Sequence, residues 1–71
     1  MQLFSLIHTT PQGEVQLMSC ESIAERNQVF NDLVGFYMKQ GSVEASQHDN
    51  LWILRTKEGR VRILFRDHFT L

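Results

Sequence analysis

The chain has 71 residues, of which 42% are hydrophobic and 21% charged, a length and composition typical of one small globular domain and unlike those of a disordered tail. Its single cysteine excludes an internal disulfide, and its three histidines lack the i, i+3 or i, i+4 spacing of metal ligands on one helix face. Without a glycine-rich phosphate loop, a G-x-S-x-G motif or an interpretable carboxylate pair, the sequence predicts one domain, residues 1–71, that is not an enzyme and holds no metal or cofactor.

A β-hairpin is predicted first along the chain. The segments LFSLIHTT and EVQLMSC are rich in β-formers, and the turn between them holds Pro11 and Gly13. With Thr10 opposite Glu14, the strands present two different apolar faces. One face carries Ile7, Val15 and Leu17, and the other carries Phe4, Leu6, His8, Met18 and Cys20.

One helix is predicted next, from Ile23 to Gln40. Ser22 and Glu25 have the S-x-x-E spacing of a capping box, and Gly41 is a natural terminator. The apolar residues cover an arc of roughly 200°, wider than the usual stripe of about 100°. One sheet face would cover the centre of that arc and leave Val29 and Phe36 uncovered. We interpret the following SVEASQHDN as a polar connector with its turn at HDN.

A second hairpin is predicted from LWILRT, the turn KEG and RVRILF. The two turn regions align, with Thr10 over Thr56 and Gly13 over Gly59, which favours shared turn requirements over a duplication. A three-residue loop would pair Thr56 with Arg60. That register directs Leu51, Ile53, Val61, Ile63 and Phe65 toward the helix, and Trp52, Leu54, Arg60, Arg62, Leu64 and Arg66 away from it.

The predicted fold class is therefore α+β. The expected element order is ββαββ, a four-stranded antiparallel sheet with one helix packed on one face.

The face that points away from the helix is the predicted partner-binding site, formed by Trp52, Leu54, Arg60, Arg62, Leu64 and Arg66. Tryptophan and arginine are enriched at the energetic centres of protein interfaces. Two other interpretations stay open: the arginine stems cover the leucines from water, or the basic hairpin binds nucleic acid with Trp52 stacked on a base. Against nucleic acid stands the net charge of −1.

A second interface is predicted at Val29 and Phe36, because too much apolar surface remains for a monomer. We expect a homodimer through this flank or through the partner-binding face. Alternatively, the C-terminal HFTL folds back and places Phe69 and Leu71 over the flank.

The charge is unevenly distributed between the two parts of the chain. Residues 1–50 have a net charge of −4 and residues 51–71 a net charge of +3, which would orient a charged partner. The opening MQLFSLIHTT lacks the features of a signal peptide and, with a lone cysteine, favours the cytoplasm with no membrane contact. The sequence thus predicts a small regulator, adaptor or inhibitor that binds another protein, of the kind that phages and mobile elements encode.

Overall fold

A computed structural model describes the backbone of residues 2–69 and the side chains of residues 3–67. Within this range the chain belongs to the α+β class, as predicted. Its elements are β1 (Gln2–Thr9), β2 (Val15–Cys20), α1 (Ile23–Met38), β3 (Glu44–His48), β4 (Leu51–Thr56) and β5 (Gly59–Phe69). Thr70, Leu71 and the side chain of Phe69 lie outside the described residues, and so does the predicted fold-back of HFTL.

The sheet has five antiparallel strands in the order β2-β1-β5-β4-β3. The prediction of four strands and a ββαββ order is wrong, because the expected connector contains β3. This strand has no apolar alternation and all five of its residues are exposed, so its pattern did not indicate a strand. Pairing with β4 holds it at the sheet edge. The turn follows at Asp49, which takes a φ of 54° that aspartate tolerates better than most residues.

The helix begins where the capping box predicts and ends two residues earlier than expected. The Glu25 amide donates to Ser22 Oγ at 3.1 Å, and the Glu21 amide donates to Glu25 Oε2 at 3.3 Å. Lys39 is the C-terminal cap. The first bond satisfies an amide that the first helical turn leaves without a backbone partner, and the second joins the residue before the N-cap to the helix.

The first hairpin has the predicted register. The Thr10 amide donates to the Glu14 carbonyl at 2.9 Å, and Ile7 pairs with Leu17. Leu6, His8 and Cys20 lie buried on the helix side, whereas Val15 and Leu17 lie on the opposite side and are exposed.

The predicted register of the second hairpin is wrong by one residue. Thr56 pairs with Gly59, so the loop has two residues. Thr56 Oγ1 accepts from the Glu58 amide at 3.2 Å and donates to the Gly59 carbonyl at 2.9 Å, which closes this shorter turn. Gly59 also lies so near the first turn that a Cβ there would come within 3.2 Å of the Pro11 Cβ. A one-residue slip exchanges the faces of a strand.

The faces of β4 are therefore the reverse of the prediction. Leu54 and Trp52 point toward the helix, where Leu54 is buried and the Trp52 ring lies 5.1 Å from that of Phe30. Leu51 and Ile53 point away. The core on the helix side consists of Leu6, Tyr37, Leu54, Val61 and Ile63, with Met18, Val29, Phe30, Leu33, Val34, Val43, Trp52 and Phe65 packed around it.

Two polar contacts fasten the helix to the sheet. Near its start, Arg26 forms an ion pair with Asp67 at 2.5 Å and lies 4.4 Å from the centre of the Phe65 ring. Near its end, the Tyr37 hydroxyl lies 2.6 Å from His8 Nε2. With the His8 proton on Nδ1, where it donates to Gln16, Nε2 accepts from Tyr37. Each contact gives a largely buried polar group a partner.

We expect a matched pair of substitutions to show which side of the second hairpin is buried. Ile63→Val removes one methylene from a fully buried site and should lower the free energy of unfolding by about 0.5–1.5 kcal/mol. Ile53→Val makes the same change on the open face of the sheet and should cost distinctly less. Urea unfolding followed by circular dichroism measures both. Equal losses for the two variants would contradict the observed faces of β4.

We also expect Tyr37 to titrate above the ordinary tyrosine range. Burial raises its pKa, and the negative charge of Glu58 raises the pKa further. Since the folded state holds this proton more tightly than the unfolded state, the contribution of Tyr37 to stability is complete below about pH 10. It is lost as the pH rises through the pKa of the folded state.

Phenolate absorbance measures this titration directly, because Tyr37 is the single tyrosine of the chain. Glu58→Gln should lower the pKa of Tyr37 partway and leave it raised, since burial is the larger cause. A tyrosine that titrates at the same pH in the native protein and in urea would contradict the buried position.

Candidate protein-binding face

The sheet face that points away from α1, here called the outer face, carries a row of aliphatic side chains across four strands. Cross-strand pairing places them side by side in the order Leu17, Ile7, Leu64 and Leu51. With strands about 4.8 Å apart, the row is about 14 Å long. The neighbouring row contains Val15, Thr9, Arg62 and Ile53, so it is apolar at its two ends and polar in the middle.

This apolar surface is most open to solvent on β2, whereas Ile7, Leu51 and Ile53 are partly buried. Val15 is 68% exposed, Leu17 64% and Leu64 37%, although Leu64 lies on the central strand. Arginine stems can cover apolar neighbours while their charged ends stay in water. Val15 and Leu17 on β2 stay uncovered, so the covering interpretation does not account for the whole face.

Four arginines lie on the same face, because alternate residues of a strand share a side. Arg62 and Arg66 flank Leu64 along β5, and Arg55 pairs directly opposite Arg60. The one ion pair found among residues 3–67 belongs to Arg26 on the other side of the sheet. Like charges directly opposite each other on neighbouring strands destabilise a sheet. On its other side Arg55 pairs with an acidic residue, Glu44 of β3. The outer face therefore carries a concentrated positive charge.

The structure brings together four of the six residues predicted for partner binding: Arg60, Arg62, Leu64 and Arg66 are all exposed on the outer face. The placement of Trp52 and Leu54 there is wrong, because the two-residue turn directs both toward the helix. The sequence analysis missed the residues that take their place, Leu51, Ile53 and Arg55, together with Ile7, Val15 and Leu17 of the first hairpin. The predicted first hairpin already grouped the last three on one side, but nothing in the sequence aligned that side with the arginines.

The two residues of the predicted second interface, Val29 and Phe36, differ in how far they are buried. Val29 packs against the core, and Phe36 is 57% exposed. The helix runs along β1, with Tyr37 over His8 and Phe30 leaning toward Trp52 on β4. At about 100° per residue, Phe36 lies about 120° around the helix from Phe30. Its ring centre is 5.4 Å from that of Tyr37.

The described residues offer few other groups that could react or bind a ligand. Burial and the charge of Glu25 raise the pKa of the Cys20 thiol, with Arg26 opposing them, so the reactive thiolate is disfavoured. A small cavity of about 70 Å³ lies beside Tyr37 and Lys57. Within the described part of the chain, no three histidine, cysteine or acidic residues gather as metal ligands. No helix there is long and apolar enough to cross a membrane.

Comparison with known proteins adds no homologous site. No family model matches the chain, and neither a curated protein nor a solved structure matches it. The charge and the exposed apolar surface of the outer face are the features that distinguish a candidate site.

Proposed function

We propose that the protein is a non-catalytic binding module whose outer face docks on an acidic and partly apolar surface of another protein. The observation that supports this most is the combination of the exposed Val15, Leu17 and Leu64 with four arginines that have no ion pair among the described residues. Such a surface offers both apolar area and charge complementarity, the two components of a specific protein interface.

The arrangement of the arginines supports an acidic partner in particular. Arg55 and Arg60 face each other across β4 and β5, an arrangement that costs free energy in the isolated protein. Carboxylates of a partner would relieve that repulsion and could accept paired hydrogen bonds from each guanidinium. A second copy docked face to face would instead bring two arginine clusters together, so the outer face favours a different protein.

A nucleic-acid partner is less well supported by this face. Trp52, the tryptophan predicted to stack on a base, packs on the helix side, and no other Phe, Tyr or Trp with a described side chain lies on the outer face. The arginines alone would contact phosphates without the aromatic stacking that single-strand binders use.

In this proposal the protein acts by occupying a surface of its partner, as a regulator, adaptor or inhibitor in the cytoplasm. The cytoplasmic setting rests on the lone cysteine, which the structure leaves as a buried free thiol.

We expect a face variant to lose the partner in affinity capture from lysate. Arg62→Glu with Leu64→Ser reverses one charge and removes one exposed leucine at the centre of the face. If this region is an energetic centre of the interface, worth at least about 2 kcal/mol, the affinity should fall more than about tenfold. Lys39→Glu with Met38→Ser makes the matched change at exposed positions by the end of the helix. This control should retain the partner.

Nuclease treatment separates the two classes of partner. A captured protein that resists nuclease, carries an acidic surface and disappears in the face variant supports the proposal. Recovery of nucleic acid alone would overturn it. Three or four phosphate contacts would then give a slope of log K against log salt of roughly −2 to −4. Circular dichroism must show both double variants folded, and Arg60→Glu at the rim provides a milder change if the face variant unfolds.

A further inference from the structure

Strand β2 leaves one edge of the sheet open. It pairs with β1 on one side, and no other strand of the described chain lies beyond it. Its sequence, Val15–Cys20, contains no charged residue and no proline. Natural proteins usually protect an exposed edge with lysine, proline, a bulge or a covering segment, because free backbone groups recruit further strands.

The first hairpin shows which backbone groups of β2 are free. The Thr10 amide donates to the Glu14 carbonyl, so these two residues form a hydrogen-bonded pair. Such pairs alternate with non-bonded pairs along an antiparallel ladder. The N–H and C=O groups of Val15, Leu17 and Ser19 therefore point away from β1, toward the open edge.

Exposed hydrophobic side chains concentrate at the same edge. Six large hydrophobic side chains are exposed in the described structure, and the two most exposed of them, Val15 and Leu17, both lie on β2. Both point to the outer face, where they border the open edge. An additional strand at this edge would thus find free backbone groups and adjoining apolar surface on the outer face.

We propose that a second copy of the chain pairs with β2 through its own β2, antiparallel and related by a two-fold axis. Leu17 then lies opposite Leu17 of the second copy, and Val15 lies opposite Ser19. About six backbone hydrogen bonds join the strands, because all three residues direct their polar groups outward. The two sheets become one continuous sheet, with both helices on one side.

The charge distribution favours a second copy as the occupant. Two neutral β2 strands meet without repulsion, whereas the opposite edge strand, β3, carries Glu44 and has no large hydrophobic residue. Self-pairing also extends the aliphatic row of the outer face, since the Leu17 residues of the two copies meet. A domain of this size gains stability by covering such surface. This inference does not depend on the proposed partner of the outer face.

The test compares two identical substitutions in sedimentation equilibrium. Wild type should show twice the chain mass of 8.3 kDa at micromolar concentration. Leu17→Lys places like charges directly opposite each other and should give the single-chain mass. Leu64→Lys makes the same change on the same face two strands away from the edge, and should stay dimeric. Circular dichroism confirms that each variant is folded.

Hydrogen exchange supplies a readout at the backbone itself. In the wild-type dimer the amides of Val15, Leu17 and Ser19 should be protected, and in folded Leu17→Lys they should exchange as freely as a solvent-exposed edge. A wild type that stays monomeric overturns the proposal. So does a dimer that persists in Leu17→Lys, that Leu64→Lys alone disrupts, or that leaves these amides unprotected.

The result of the capture experiment on the outer face is independent of the result of the dimer experiments on β2. Loss of the dimer in Leu17→Lys leaves the four arginines in place, and loss of the captured protein in the face variant leaves the β2 edge intact. Each result therefore addresses one proposal.

Discussion

Strand β5 is the element on which the rest of the sheet depends. It pairs with β1 along Arg62–Phe69 and with β4 along Gly59–Leu64, so both hairpins are joined through a single strand. Ladders on both sides prevent β5 from shifting without breaking two sets of hydrogen bonds. Its alternation then assigns every residue a side. Val61, Ile63 and Phe65 enter the core, and Arg60, Arg62, Leu64 and Arg66 are held on the outer face.

The single helix explains why so much apolar surface remains. It covers one face of a five-stranded sheet, held near each end by Arg26 and Tyr37. The opposite face and the β2 edge have no element of the described chain to cover them. An antiparallel sheet with one solvated face normally carries polar residues there. Here that face is aliphatic and basic, which is why the two proposed contacts, one with an acidic protein and one with a second copy, address different parts of one uncovered surface.

The two hairpins show how far turn chemistry can predict a register. Both turns contain a glycine two positions before a valine, Gly13 before Val15 and Gly59 before Val61. Their sequences align, yet the loops differ in length. In the first, Thr10 and Glu14 close a loop around Pro11 and Gly13, as predicted. In the second, the Thr56 hydroxyl bonds to Glu58 and Gly59 and stabilises the shorter loop. Because both sides of β4 are apolar, its hydrophobic pattern did not distinguish the two registers, and Trp52 and Leu54 were assigned to the wrong face.

The sequence by itself determined the class of fold, the start of the helix, the first hairpin and the alternation of arginines with aliphatic residues along β5. These depend on local contacts such as the Ser22–Glu25 capping box, which neighbouring residues make without the rest of the chain. Tertiary structure decided the remainder. Pairing with β4 makes a strand of the polar segment Glu44–His48, and packing against the helix selects which side of β4 is buried. The row from Leu17 to Leu51 exists only after four strands are aligned, since its members lie far apart in sequence and meet through cross-strand pairing.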